Sequence, residues 1–176
     1  MEWDVADTAE LAREVASLRR RVEDAEAVLA IQTLKATYGD LVDRRFSMGA
    51  VAPAPELEAA LEGIVSLFTE HAVWDGGPVL GVARGRAAIA DRLRKPTLVF
   101  ARHLFMKPRI EVSGDTASAR WDLLCPCKTA DGRSWWMCGV EEDVYLREDG
   151  VWRQREMQLT TVFMAPVGGG FEKILV

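Results

Sequence analysis

The sequence predicts a single α+β domain, with a long, curved antiparallel or mixed sheet wrapped around N-terminal helices to leave a cone-shaped hollow. Three observations carry this expectation. Helical apolar spacing dominates the first half of the chain, and strand-like alternation broken by tight turns fills the second. The 176 residues suffice for one real core and are too few for two ordinary domains.

Residues 8–45 read as helix: no proline interrupts them, Asp7 or Thr8 can cap the start, and Glu10 can reply in a capping box. Leu11, Val15, Leu18, Val22, Ala25 and Leu29 recur at alternating spacings of four and three, a heptad stripe suited to packing on another subunit or back across a sheet. The apolar phase then moves to Ile31, Leu34, Tyr38, Leu41 and Val42, which predicts a break or bend near residues 28–30 and a second half facing the core. Gly49, Pro53 and Pro55 mark residues 47–55 as loop, and residues 56–68 form a helix whose apolar face is Leu57, Leu61, Ile64, Val65 and Phe68.

The period then changes. Residues 72–74 and 79–82 look like short strands around an Asp75-Gly76-Gly77-Pro78 turn, and residues 85–94 are a third helix closed by Pro96. Strands follow at 103–112, 116–129, 135–147 and 151–164, separated by the turn signals Ser113-Gly114-Asp115, Asp131-Gly132 and Glu148-Asp149-Gly150. Pro108 and Pro126 fit edges or bulges, where such a sheet bends.

Composition narrows the functional classes. A net charge of −5 and a pI near 5.2 leave no cationic excess for a phosphate backbone, so no nucleic-acid partner is expected. No apolar run reaches the length of a membrane span and the N-terminus is acidic, so a cytoplasmic protein is expected. Three cysteines, an odd number, read as reduced thiols. Cys125 and Cys127 share a strand face but have no second paired motif to complete a zinc site, so small buried thiols are expected and no metal.

Among titratable residues, His103 is one of only two histidines, with His71. Imidazole is the natural proton acceptor near neutral pH, and a carboxylate on its other nitrogen would orient it; Asp43 is the candidate. Tyr38 and Asp43 lie off one stripe but can both flank a pocket at the helix end. On the strand from residue 116, Trp121, Leu123 and Cys125 share one face and form the expected pocket wall, with Asp122 outside. Trp135, Trp136, Met137 and Phe163 read as further core surface.

Several sequence words carry a family resemblance: Tyr38-Gly39-Asp40-Leu41-Val42-Asp43-Arg44-Arg45, Leu67-Phe68-Thr69-Glu70-His71-Ala72-Val73-Trp74, Gly85-Arg86-Ala87-Ala88-Ile89, Arg102-His103-Leu104 and Asp149-Gly150-Val151-Trp152-Arg153. In this order and spacing, residues 31–164 resemble the SnoaL-like branch of the NTF2-like superfamily. That resemblance implies the NTF2-like cone fold, with 31–166 as the SnoaL-like domain; the heptad stripe marks residues 1–30 as a helical extension, and the glycines at 168–170 mark 167–176 as a flexible tail whose apolar end covers the pocket or reaches a neighbour. It implies a lyase or isomerase, of dehydratase type before dehydrohalogenase or cyclase type, working without cofactor on a hydrophobic small molecule such as a steroid, polyketide or aromatic compound.

His103, Asp43 and Tyr38 fall on the catalytic positions of the dehydratase-like relatives. Phe105, Trp121, Leu123, Cys125, Glu141, Trp74 and Lys107 are the candidate substrate-binding residues. Lys107 and Glu141 depart from the family's usual Asn and Tyr; they can pair across the sheet, Lys107 can bind an acidic substrate, or both can be solvated. The same fold also serves as a non-catalytic binding or assembly module. A homodimer or homotrimer is expected in either case, because a long sheet with an open outer face needs a cover.

Overall fold

The computed structural model describes residues 5–168, with side chains from residue 8 onward. Helix α1 spans Val5–Asp43, followed by a small hairpin, β1 (Phe46–Ser47) and β2 (Ala50–Val51). Helix α2 (Ala54–Ser66), strand β3 (Phe68–Asp75), the short helix α3 (Gly77–Leu80), β4 (Val82–Arg84) and helix α4 (Arg86–Arg94) come next. The chain ends in β5 (Leu98–Ala101), β6 (Leu104–Ser113), β7 (Thr116–Thr129), β8 (Ser134–Glu148) and β9 (Val151–Pro166). Among the described residues, seven strands form one sheet in the order β4-β3-β9-β8-β7, with β5 and β6 both pairing β7. All pairs are antiparallel except β3 with β9, so the sheet is mixed, and it curls into a half-barrel around the helices.

The α+β cone is thus present, with local departures. Helix α1 already runs through Asp7 and Thr8, which therefore do not cap it, and it ends at Asp43 rather than Arg45. It is continuous through residues 28–30. The phase shift marks two opposite faces of one helix: Leu11, Val15, Leu18, Val22 and Leu29 stay exposed, while Ala27, Ile31, Leu34, Tyr38 and Val42 are buried on the sheet.

The loop predicted at 47–55 holds a two-residue hairpin turn, with Met48 and Gly49 both at positive φ, and α2 starts and stops two residues before its predicted ends. Val79 and Leu80 belong to α3 rather than to a strand, because Pro78 seeds a helical turn that Gly81 closes at φ 74°. Strand β5 was not foreseen; it pairs with the far end of β7 before the chain steps over to β6. Residues 169–176, which include most of the predicted tail, lie outside the described residues. Among the described residues, no helix is long and apolar enough to cross a membrane.

Bulges bend the sheet. The β6/β7 register shifts between Met106 and Arg109, where Lys107 takes φ 49° ahead of Pro108. The core falls into two clusters. One joins Ala27, Ile31 and Leu34 of α1 to Trp121, Tyr145 and Trp152; the other joins Tyr38 and Val42 to α2, α4, Trp74, Leu123 and Cys125. Lys35 lies on α1 at the boundary between them.

Candidate functional site

The last two turns of α1 and the β5–β6 joint meet at the second cluster. His103 sits in the two-residue gap between β5 and β6, so the sheet does not claim its backbone N–H. That N–H donates to both carboxylate oxygens of Asp43, at 3.1 Å each. The ring adds a third contact, with Nδ1 2.7 Å from Asp43 Oδ1. A carboxylate can only accept, so Nδ1 carries the hydrogen, and in the neutral ring the lone pair is then on Nε2. Asp43 is nearly buried, with Arg102 3.4 Å from its outer oxygen, and the His103 side chain keeps 16% exposure.

His103 lines a cavity of about 90 Å³ enclosed by Tyr38, Trp74, Leu123, Cys125, Met137, Glu141, Met157 and Leu159. The exposed Thr97, beside Pro96 and Leu98, marks its mouth. Trp74 Nε1 donates to Tyr38 Oη at 3.0 Å, which leaves the tyrosine's own proton free to be given elsewhere. Burial, and then the negative Glu141, push Tyr38 up to about 12, so it remains a protonated donor at neutral pH. The bond to Cys127, and then burial, raise Cys125, a neutral wall residue. A wider hollow, about 540 Å³, lies elsewhere: an open groove on the outer face of the sheet among Asp75, Arg109, Glu111, Arg120, Glu142 and Glu156. Charged side chains line that groove, while Leu104, Met106, Trp136 and Val162 stand exposed elsewhere on the sheet.

Of the predicted site residues, the fold brings His103, Asp43 and Tyr38 together, and Trp74, Leu123, Cys125 and Glu141 line the same cavity. Three are placed differently. Lys107 points outward, 76% exposed and 2.7 Å from Asp122, because the bulge at Pro108 turns it to the outer face; it neither reaches the cavity nor pairs with Glu141. Trp121 faces inward but belongs to the other core cluster, beyond the cavity wall. Phe105 stays behind the lining, its ring 6.3 Å from that of His103 and 6.1 Å from that of Tyr38, where it braces both. His71 is exposed on β3.

The residue that sequence reasoning missed is Lys35. It is fully buried, its ammonium bonded to Glu141 and 2.8 Å from Asp143, whose Oδ2 also takes the Tyr145 hydroxyl at 2.7 Å. The rings of Phe105 and Tyr38 lie 4.3 and 5.1 Å from its ammonium. A signal existed: Ile31, Lys35, Tyr38 and Val42 share one stripe at spacings of four, three and four, so a lysine stood in a core row. Glu141, Asp143 and Tyr145 likewise alternate on one face of β8.

Two carboxylates share this one cation. Burial alone would lower the lysine, but Asp143 and Glu141 outweigh it and hold Lys35 charged, above its ordinary value. Glu141 is raised above its ordinary 4.5, first by burial and further by Asp143, with Lys35 opposing. Between the ordinary and raised values the folded state keeps a proton that the unfolded chain has released. Stability therefore falls as pH rises through that window, by at most about 1.4 kcal/mol per unit. Glu141→Gln is expected to flatten this slope in urea unfolding followed from pH 4 upward; an unchanged slope would assign the proton elsewhere.

Residues 23–158 match the family model of the SnoaL-like domain. A type 2 hexachlorocyclohexane dehydrochlorinase has a similar structure, with a TM-score of 0.68 and 22% identity over 89% of this chain and 94% of that one. The type 3 dehydrochlorinase from Novosphingobium barchaimii LL02 gives a TM-score of 0.66 at 21% identity, over 89% and 95%. An NTF2-like protein with a cystatin-like fold from Novosphingobium aromaticivorans gives 0.64 at 23%, over 84% and 88%. At these identities the likeness carries the fold. No curated protein matches the chain.

Proposed function

The chain belongs to the SnoaL-like family, and from that premise we propose that it is a lyase or isomerase that moves a proton on a small hydrophobic molecule without an organic or metal cofactor. The observation that carries this reading is the His103–Asp43 pair, with Nδ1 tied to the carboxylate at 2.7 Å and the opposite nitrogen left for the cavity. Nε2 takes a proton from carbon, and Asp43 stabilises the imidazolium that results. The freed C–H electron pair becomes a double bond, and a neighbouring hydroxide or halide leaves as an anion that accepts a hydrogen bond from Tyr38. If no leaving group is present, the proton returns at another carbon and the double bond migrates.

Cavity size bounds the substrate. At about 90 Å³ the hollow is smaller than the roughly 150 Å³ known to admit benzene in an engineered core. A one-ring halide or hydroxy-ketone enters by displacing residues at the mouth, and a steroid does not fit without a wider opening. A dehydrohalogenation like that named for the structural neighbours is the leading reaction.

The test is a panel of chlorinated cycloalkanes, β-hydroxy ketones and β,γ-unsaturated ketones incubated with the purified chain. Halide release, loss of water and conjugation are followed separately. Turnover of one class that vanishes in His103→Ala supports the reading. Saturable binding across the panel with no product over hours favours the non-catalytic binding module instead.

A further inference from the structure

Leu11, Val15, Leu18, Val22 and Leu29 are 40–62% exposed on the projecting part of α1, a greasy row about 28 Å long that nothing in the described chain covers. The body of the domain packs on the opposite side of the same helix, through Ala27 and Ile31. Ala27 follows Leu18 by nine positions, as Ile31 follows Val22, and at about 100° per residue that is half a turn. The domain therefore leaves the row open to a second helix along its whole length.

The row itself specifies the second helix. In heptad terms Val15, Val22 and Leu29 occupy a, while Leu11, Leu18 and Ala25 occupy d; valine at a with leucine at d favours two parallel strands. The flanking g positions are Glu14 and Arg21, and the e positions are Arg19 and Glu26. In a parallel, in-register pair each g residue faces the e residue of the next heptad across the seam. Glu14 then meets Arg19 of the second copy and Arg21 meets Glu26, opposite signs at each crossing and twice over by symmetry. Reversing one strand while keeping the rows superposed sets Arg19 against Arg19. All four side chains are exposed, and none has an ion-pair partner among the described residues.

We propose that residues 11–29 of α1 form a parallel, in-register two-stranded coiled coil with the same segment of a second copy of this chain. Fewer than three heptads make a weak coiled coil when free, but here the helix is rooted in a folded domain, so its nucleation is already met. The proposal does not depend on the chemistry of the cavity.

Sedimentation equilibrium on the full chain is expected to give twice the 19.5 kDa chain mass. Leu18→Lys with Val22→Lys is expected to give monomer with unchanged circular dichroism, since neither side chain supports the domain. Arg19→Glu is expected to weaken association about tenfold or more, and adding Glu14→Arg to restore it. Leu11→Cys is expected to form a disulfide-linked dimer on mild oxidation that the wild type does not; an antiparallel pair places Leu11 beside Leu29 and prevents the link. The proposal is overturned by a wild-type monomer or trimer, by a Leu18→Lys, Val22→Lys protein that stays dimeric, or by a dimer that Leu11→Cys fails to cross-link.

Discussion

Replacing Asp43 with Asn is expected to slow turnover by about 10³- to 10⁴-fold while the chain stays folded. The reason is the tautomer. Asp43 accepts from Nδ1–H and so leaves Nε2 basic. An asparagine amide turned toward the ring donates to Nδ1 instead, which moves the hydrogen to Nε2 and blocks the base. The amide oxygen can still accept the His103 backbone N–H, so the β5–β6 joint keeps its anchor and the cost in stability stays near 1–3 kcal/mol. Nitrogen-15 shifts of the His103 ring read the tautomer without any substrate. They should report Nδ1–H in the wild type and Nε2–H in the variant. Full activity together with an exchanged tautomer would remove Asp43 from the proposed chemistry.

The second large effect is on stability. Lys35→Met deletes the one ammonium that Glu141 and Asp143 share and leaves two buried carboxylates facing each other. Breaking a buried ion pair from one side costs about 3–5 kcal/mol, because the stranded charges lose their counter-ion out of reach of water, with only the Tyr145 hydroxyl left on Asp143. For a domain of this length that is a fall in melting temperature of roughly 6–20 °C. The loss should shrink in acid, where the carboxylates take up protons and cease to repel. Adding Glu141→Gln and Asp143→Asn to Lys35→Met should recover part of the stability, since a neutral layer holds no uncompensated buried charge. A loss below about 1 kcal/mol at neutral pH, on unfolding in urea, would show that the triad is solvated in solution.

Much of the fold was legible in the residues because its signals are local. The strand β7 appears at its predicted bounds, since Ala117 to Cys127 alternate without interruption between two turns. The helix α4 is one residue off at its start, where Gly85 takes φ 80°. What escaped depends on contacts between distant segments. Strand β5 is only four residues long and exists because β7 outruns β6 and offers it an edge. The bulge that turns Lys107 outward needs the β6/β7 register, which no window of sequence contains. In the site, residue chemistry offered His103 and Asp43 as candidates, the resemblance set them on catalytic positions, and the fold places them in contact. Lys35 was hidden by its class, because lysine is read as solvated unless the carboxylates that neutralise it are known, and those stand on β8.

The contacts that hold the cavity join residues far apart in the chain: 60 positions separate Asp43 from His103, and 106 separate Lys35 from Glu141. The hairpins linking β7, β8 and β9 close short loops and need little chain entropy, whereas these two contacts must gather most of the polypeptide. Any chain ending before Leu159 lacks a side of the chamber, so a nascent or truncated product has no enclosed cavity beside His103. Closure of the cavity thus waits for β9, and its appearance during refolding reports that the last of these long-range contacts has formed.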